Sequence, residues 1–229
     1  MAIKLIIALD FNTQSEAIKL INQLDPTQCA LKVGNEMFTL FGPEFIRDLV
    51  AKKFKVFLDL KYHDIPNTVA QACKAAASLG VWMVNVHASG GLKMMQAAHQ
   101  ALLSYGPNRP LLIAVTVLTS MDQAELHTTG VDQLLEHRVR NLSLLALKAG
   151  CDGVVSSALE VPLIKAACGP QFLTVTPGIR LGKDNHHDQV RVITPEEAIR
   201  LGSDYLVIGR SITGCRQPNK AISKILSVI

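Results

Sequence analysis

Two periodicities alternate along the chain. Short apolar runs that are continuous or β-branched give way to longer stretches in which apolar positions return every three to four residues. The runs at Leu5 to Leu9, Cys29 to Val33, Lys55 to Asp59, Met83 to His87, Leu111 to Val117, Gly153 to Ser156, Phe172 to Thr176 and Tyr205 to Gly209 read as strands. Helical spacing covers Ser15 to Leu24, Pro43 to Lys52, Thr68 to Ser78, Leu92 to Ser104, Asp132 to Lys148, Leu159 to Cys168, Pro195 to Leu201 and Asn219 to Val228. Three junctions share one grammar: Leu79-Gly80-Val81-Trp82, Ala149-Gly150-Cys151-Asp152 and Leu201-Gly202-Ser203-Asp204 each end a helix on glycine and enter an apolar strand at once. These glycines lie 70 and 52 residues apart, so two units per interval gives a period of about 26 to 35 residues, the size of a βα unit. Near-continuous apolar strands joined by helices predict a parallel sheet covered on its outer side, and eight units predict a closed (β/α)8 barrel of the α/β class. An open doubly wound sheet is the competitor, but Asp10-Phe11-Asn12-Thr13 stands where its glycine-rich fingerprint belongs. With no linker or low-complexity tract, one barrel domain over residues 1–229 is expected.

Composition narrows the partners more than the fold. The net charge of +4 is spread out, Lys52-Lys53 is its only adjacent basic pair and 5% of residues are aromatic. Neither a basic arm nor a stacking platform is present, so no nucleic-acid partner is expected and small anions suit the charge better. Five cysteines without C-x-x-C spacing argue against a disulfide framework or zinc site and read as small core residues. The first apolar run is too short for an export signal and ends on Asp10. Ala75 to Leu92 carries no formal charge but contains Asn85, His87 and three glycines, which break it into helix, strand and turn. No membrane span and a cytoplasmic location are therefore expected.

The chemistry-bearing residues sit just past the strands: Asp10, Lys32, Asp59 with Lys61, His87, Thr119, Pro177-Gly178-Ile179-Arg180 and Gly209-Arg210-Ser211. In a barrel these ends gather on the catalytic face. Within Asp59-Leu60-Lys61-Tyr62-His63-Asp64, alternation places Asp59 and Lys61 on one face. A solvated, ion-paired strand end would explain the hexapeptide alone; convergence of charges from several strands favours a catalytic array. Glycine with arginine after the seventh and eighth strands is phosphate-binding hardware, because glycine admits the anion to backbone N–H groups and guanidinium forks its oxygens. His186-His187 falls in a polar surface loop, no His or Cys has helical ligand spacing, and His87 reads as an inner-barrel histidine rather than a base. No metal is expected.

Asp59-Leu60-Lys61-Tyr62-His63-Asp64-Ile65-Pro66-Asn67-Thr68, with Pro177-Gly178-Ile179-Arg180, Asp188-Gln189-Val190-Arg191 and Gly209-Arg210, resembles orotidine 5′-phosphate decarboxylase. The resemblance extends from Ile7-Ala8-Leu9-Asp10 to Gly209-Arg210-Ser211-Ile212. It implies conversion of orotidine 5′-monophosphate to uridine 5′-monophosphate and carbon dioxide in a homodimer, without metal or organic cofactor. It makes Lys61 the acid that protonates C6, with Asp59 beside the departing carboxylate and Lys32 in the same network. Asp64 would reach into the partner's site. Asp10 would contact ribose, Thr119 the pyrimidine, Ile65 and Thr68 the substrate, and Arg180, Gln189, Gly209 and Arg210 the phosphate side. The stretch Gly182 to Asp188 would form a lid, with His187 where many relatives carry an acid. Two rivals remain: a magnesium-dependent sugar-phosphate decarboxylase or aldolase with a similar D-x-K-x-x-D, expected to carry an acid where Lys32 stands, and a non-catalytic nucleotide-binding barrel.

Overall fold

Alternation along each strand divides its side chains between two cores, and that division builds the barrel. A computed structural model describes residues 3–181, 193–215 and 217–229. Its strands are β1 (Leu5–Leu9), β2 (Cys29–Gly34), β3 (Val56–Tyr62), β4 (Met83–His87), β5 (Leu111–Val115), β6 (Gly153–Val155), β7 (Leu173–Thr176) and β8 (Tyr205–Ile208). They pair in parallel and in sequence order, and β1 closes on β8 through Leu5 with Leu206 and Ile7 with Ile208. This is the expected (β/α)8 barrel.

Inward-facing Ile6, Ala8, Ala30, Phe57, Met83, Ile113, Val175 and Val207 form one buried cluster inside the barrel. Their neighbours of opposite parity, among them Leu5, Ile7, Leu31, Leu58 and Val84, join a second cluster with the helices. Trp82 and Tyr205, in edge-to-face contact at 5.2 Å, pack beneath the inner cluster and close its N-terminal end. The opposite, C-terminal end opens into a cavity.

The glycine junctions behave as their grammar requires: Gly80, Gly150 and Gly202 have φ of 78°, 88° and 95°. The aspartates that follow two of them tie neighbouring strands together. Asp152, ahead of β6, accepts the Leu112 N–H of β5 at 2.7 Å and a bidentate pair from Arg109. Asp204, ahead of β8, accepts the Thr174 N–H of β7 at 2.7 Å and the Lys165 amine. Gly153 is required for a different reason: a Cβ there would meet the Leu173 carbonyl oxygen at 2.2 Å.

The helices are α1 (Gln14–Ile21), α2 (Asn35–Ala51), α3 (Pro66–Ser78), α4 (Leu92–Leu103), α5 (Gln123–Thr128), α6 (Leu135–Ala149), α7 (Val161–Cys168), α8 (Pro195–Arg200), α9 (Arg210–Thr213) and α10 (Pro218–Leu226). Three departures from the periodicity matter. The α2 segment starts before Pro43 and kinks at Gly42, whose φ is 64°. Helix α9 is too short to display a period, and α5 buries only Leu126; α5 is fixed by its Asp122 cap, which accepts the Glu125 N–H at 2.8 Å. Strand β3 continues through Lys61 to Tyr62, beyond its apolar run. Burial pushes the Cys29, Cys73 and Cys151 thiols up to about 12, in keeping with core packing. Cys168 and Cys215 are only partly buried. Among the described residues, no helix is long and apolar enough to cross a membrane.

Candidate active site

The inner parity that fills the barrel runs on to the C-terminal ends of the strands, and past the end of β1 to Asp10, and carries the charges into its mouth. Ala8 is followed two residues later by Asp10, Ala30 by Lys32, and Phe57 by Asp59 and then Lys61. All of these but Ala30 line a cavity of about 240 Å³ at the C-terminal end. Its floor is apolar, made by Ala8, Phe57, Val115, Val155, Val175 and Val207. Around it, among the described residues, stand the cations Lys32, Lys61, Arg180 and Arg210 and the carboxylates Asp10 and Asp59. An excess of positive charge over an apolar floor suits an anion that carries a flat ring.

Asp10, Lys32, Asp59 and Lys61 form a row of alternating sign. Lys32 Nζ lies 3.8 Å from Asp10 Oδ1 and 3.2 Å from Asp59 Oδ2, while Lys61 Nζ lies 2.7 Å from Asp59 Oδ1. Asp59 is 7% exposed. Burial opposes its ionisation most strongly, but Lys32, Lys61 and the hydrogen bonds from Lys61 and Asn85 together outweigh burial and hold its carboxyl below the usual range. The carboxylate is therefore kept charged in a place where an unpaired one would neutralise.

Lys61 has φ of 50°, a conformation that costs a side-chain-bearing residue roughly 1–2 kcal/mol. Strain of this kind persists where the surroundings over-determine it. The surrounding group is Asn85, which is fully buried, accepts the Lys61 N–H at 2.8 Å and donates to Asp59 Oδ1 at 2.7 Å. The sequence pattern marks Asn85 only as a polar break in the uncharged stretch from Ala75 to Leu92 and gives it no part in the site. Its signal was the inner parity of Met83-Val84-Asn85-Val86-His87, because an amide enclosed in a barrel has to find polar partners.

Beside β7 and β8 the chain turns sharply. Gly178 has φ of 81°, and the next residues are held by a bridge in which the Arg180 N–H reaches the Ile193 carbonyl at 3.0 Å. Arg180 is buried and Arg210 opens α9 directly after Gly209. Two guanidinium groups and two glycines thus border one side of the cavity.

A model of the orotidine 5′-phosphate decarboxylase / HUMPS family matches residues 3–225. The chain belongs to this family. It is 59% identical over 226 residues to the orotidine 5′-phosphate decarboxylase of Legionella pneumophila strain Corby, covering 99% of both chains. Identity to the enzyme of Pseudoalteromonas atlantica is 54%, over 97% of this chain and 96% of that one. The crystal structure of orotidine 5′-phosphate decarboxylase from Lactobacillus acidophilus superposes with a TM-score of 0.88 at 37% identity, over 99% of this chain and 98% of that one.

Of the residues the family resemblance singled out, Asp10, Lys32, Asp59, Lys61, Thr119, Arg180, Gly209 and Arg210 share the cavity. Asp10, expected at ribose, is also the outer member of the charged row. Asp64, Ile65 and Thr68 are not among the cavity residues; they are exposed where β3 passes into α3, with Ile65 66% exposed. Gln189, His186, His187 and the expected lid from 182 to 188 lie outside the described residues. His87 follows the inner parity of β4 and faces His63, ring centroids 5.4 Å apart. Its own burial, then His63 and Lys61, depress its pKa against the pull of Asp59. A histidine poised as a cation is thereby disfavoured next to Lys61.

Proposed function

We propose that this chain decarboxylates orotidine 5′-monophosphate to uridine 5′-monophosphate and carbon dioxide, the closing step of pyrimidine nucleotide synthesis. The observation that carries this reading is the alternating row Asp10, Lys32, Asp59 and Lys61 above an apolar floor, with Arg180 and Arg210 at the β7 and β8 side. The phosphate is assigned to Arg180, Gly209, Arg210 and Gln189, the ribose to Asp10 and Lys32, and the pyrimidine to Thr119 and the floor. This places C6 at Lys61 and the substrate carboxylate at Asp59.

Breaking the bond from C6 to the carboxylate leaves its electron pair on C6, in an orbital that the ring does not delocalise. The ammonium of Lys61 meets that charge directly. At about 4 Å and an effective dielectric near 20, the attraction amounts to roughly 4 kcal/mol. Lys61 then gives a proton from Nζ to C6, carbon dioxide leaves, and the neutral amine recovers its proton from solvent. Asp59, held ionised, repels a carboxylate that the reaction removes, so its unfavourable contact with substrate vanishes on the way to product.

The related sugar-phosphate chemistry needs carboxylate oxygens for magnesium. Here Lys32 takes one oxygen of Asp59 and Lys61 the other, which leaves an ammonium group where a metal would have to sit. A non-catalytic binding barrel would have no use for so costly an assembly of buried charge. The absorbance change that accompanies loss of the orotate carboxylate, followed with a chelator in excess, tests the reading. Turnover should be unchanged by chelation; activity restored only by added magnesium would move the chain to the sugar-phosphate chemistry.

A homodimer is part of the proposal. Asp64 and the exposed Ile65 and Thr68 lie on a shoulder beside the cavity, where a second copy of the chain could bring Asp64 to the partner's substrate. Mixing Lys61→Ala and Asp64→Ala chains should regenerate activity, since a mixed dimer holds one site lacking both residues and one intact site. No recovery after verified subunit exchange would place Asp64 in its own chain's site.

A further inference from the structure

Asn85 is assigned to no substrate group, yet it is the side chain through which Asp59 and Lys61 are joined. Its two hydrogen bonds lie where the sheet's own pairing lapses. Leu58 pairs with Val84 and Tyr62 with Val86, so Asp59, Leu60 and Lys61 stand opposite Asn85 alone. The Lys61 N–H is received there by Asn85 Oδ1 at 2.8 Å. Asn85 Nδ2 meanwhile donates to the Asp59 oxygen that Lys61 Nζ also contacts. One amide therefore fixes the backbone of the cation and the carboxylate of its partner, and the left-handed turn at Lys61 lets the two meet at 2.7 Å.

We propose that Asn85 is a positioning residue for decarboxylation: its amide holds Lys61 in the left-handed conformation and orients Asp59, so that ammonium and carboxylate are in place before substrate arrives. The inference rests on the decarboxylase reading of the site. Only an amide of this length supplies both halves. Leucine of similar volume offers neither bond, and aspartate keeps the acceptor for Lys61 but sets a second carboxylate against Asp59. A site held by two hydrogen bonds has little room for error, because a misplacement of about 1 Å is enough to cost roughly 100-fold in rate.

The test compares wild type with Asn85→Ala, Asn85→Leu and Asn85→Asp. In Asn85→Ala and Asn85→Leu, kcat should fall about 100-fold, while KM and the dissociation constant of uridine 5′-monophosphate stay within about threefold, since the phosphate contacts are on other strands. A merely structural role would lower the unfolding temperature and leave kcat of the folded protein alone. Asn85→Asp adds a pH signature. Asn85 contacts Asp59 and Lys61 directly, Lys32 pairs with Asp59 and Asp10 with Lys32, and His87, two residues further along β4, faces His63; all are common to wild type and variant. Its kcat relative to wild type should therefore rise as pH falls, because a protonated carboxyl at 85 can donate to Asp59 as the amide does. Where the alanine and leucine variants fail to fold, this isosteric variant carries the test. A folded Asn85→Ala protein with kcat within about threefold of wild type, or a flat ratio for Asn85→Asp, would overturn the proposal. If wild type itself does not turn over orotidine 5′-monophosphate, the proposed function falls, and the crystal structure of Asn85→Ala decides positioning separately. Separation of Lys61 Nζ from Asp59 Oδ1 is expected; an unchanged 2.7 Å contact would overturn it.

Discussion

Lys61→Ala is expected to lower kcat by about 10⁵-fold or more while the protein stays folded and still binds uridine 5′-monophosphate. Two losses multiply. The charge facing C6 is worth roughly 4 kcal/mol, about a thousandfold, and a positioned general acid typically contributes about 10²–10⁴. The fold should tolerate the change because Asp59 keeps Lys32 at 3.2 Å and Asn85 at 2.7 Å. Product binding should persist because the arginines and glycines assigned to phosphate lie by β7 and β8. Steady-state kinetics with calorimetric titration of uridine 5′-monophosphate separates the two effects. A variant that keeps about a tenth of the activity would remove Lys61 from the proton-donor role.

Arg210→Ala is expected to lower kcat as well as raise KM, with kcat/KM down roughly 10- to 150-fold, the factor that one charged hydrogen bond of 1.5–3 kcal/mol represents. Arg210 begins α9 after β8 and lines the cavity three strands away from β3, which carries Asp59 and Lys61. If it only held substrate, KM alone would suffer. Loss in both parameters is expected because binding energy at the phosphate is what presses the ring against an arrangement of charges that repels its carboxylate. Orotidine without its phosphate supplies the control: it should be a poor substrate for wild type, and Arg210→Ala should be hardly worse with it. Equal impairment with both substrates would mean that Arg210 supports the barrel or the chemistry directly.

What could be read from sequence divides along physical lines. The eight strands and the barrel were legible because alternating and helical periods are local, and the glycine junctions at Gly80, Gly150 and Gly202 marked where one gave way to the other. Parity alone put Asp59 and Lys61 on one face, and the 2.7 Å contact between them agrees. The left-handed backbone at Lys61 was not legible, since lysine has no preference for it and its cause lies 24 residues away in Asn85. Asn85 was legible as a polar, inward-facing residue of β4, but not as the partner of Asp59 and Lys61, because the register of β3 against β4 that brings them together is fixed by no local pattern. Helix α9, with four residues, is too short for a period to be seen, and α5 buries only Leu126, so no apolar face marks it. The pairing of Asp10 with Lys32 joins β1 to β2 at their open ends and depends on strand register, which no local pattern fixes.

The central claim is that the row ending in Lys61 stabilises negative charge at C6 and delivers a proton there. Its most direct measurement uses product rather than substrate. Protonation of C6 is reversible in principle, so a site that stabilises the carbanion should catalyse exchange of the C6 hydrogen of uridine 5′-monophosphate with solvent. In D₂O, proton NMR should show the C6–H signal fading in the presence of wild type and unchanged with Lys61→Ala. Wild type that decarboxylates orotidine 5′-monophosphate but does not catalyse this exchange, or exchange that persists in Lys61→Ala, would contradict the account.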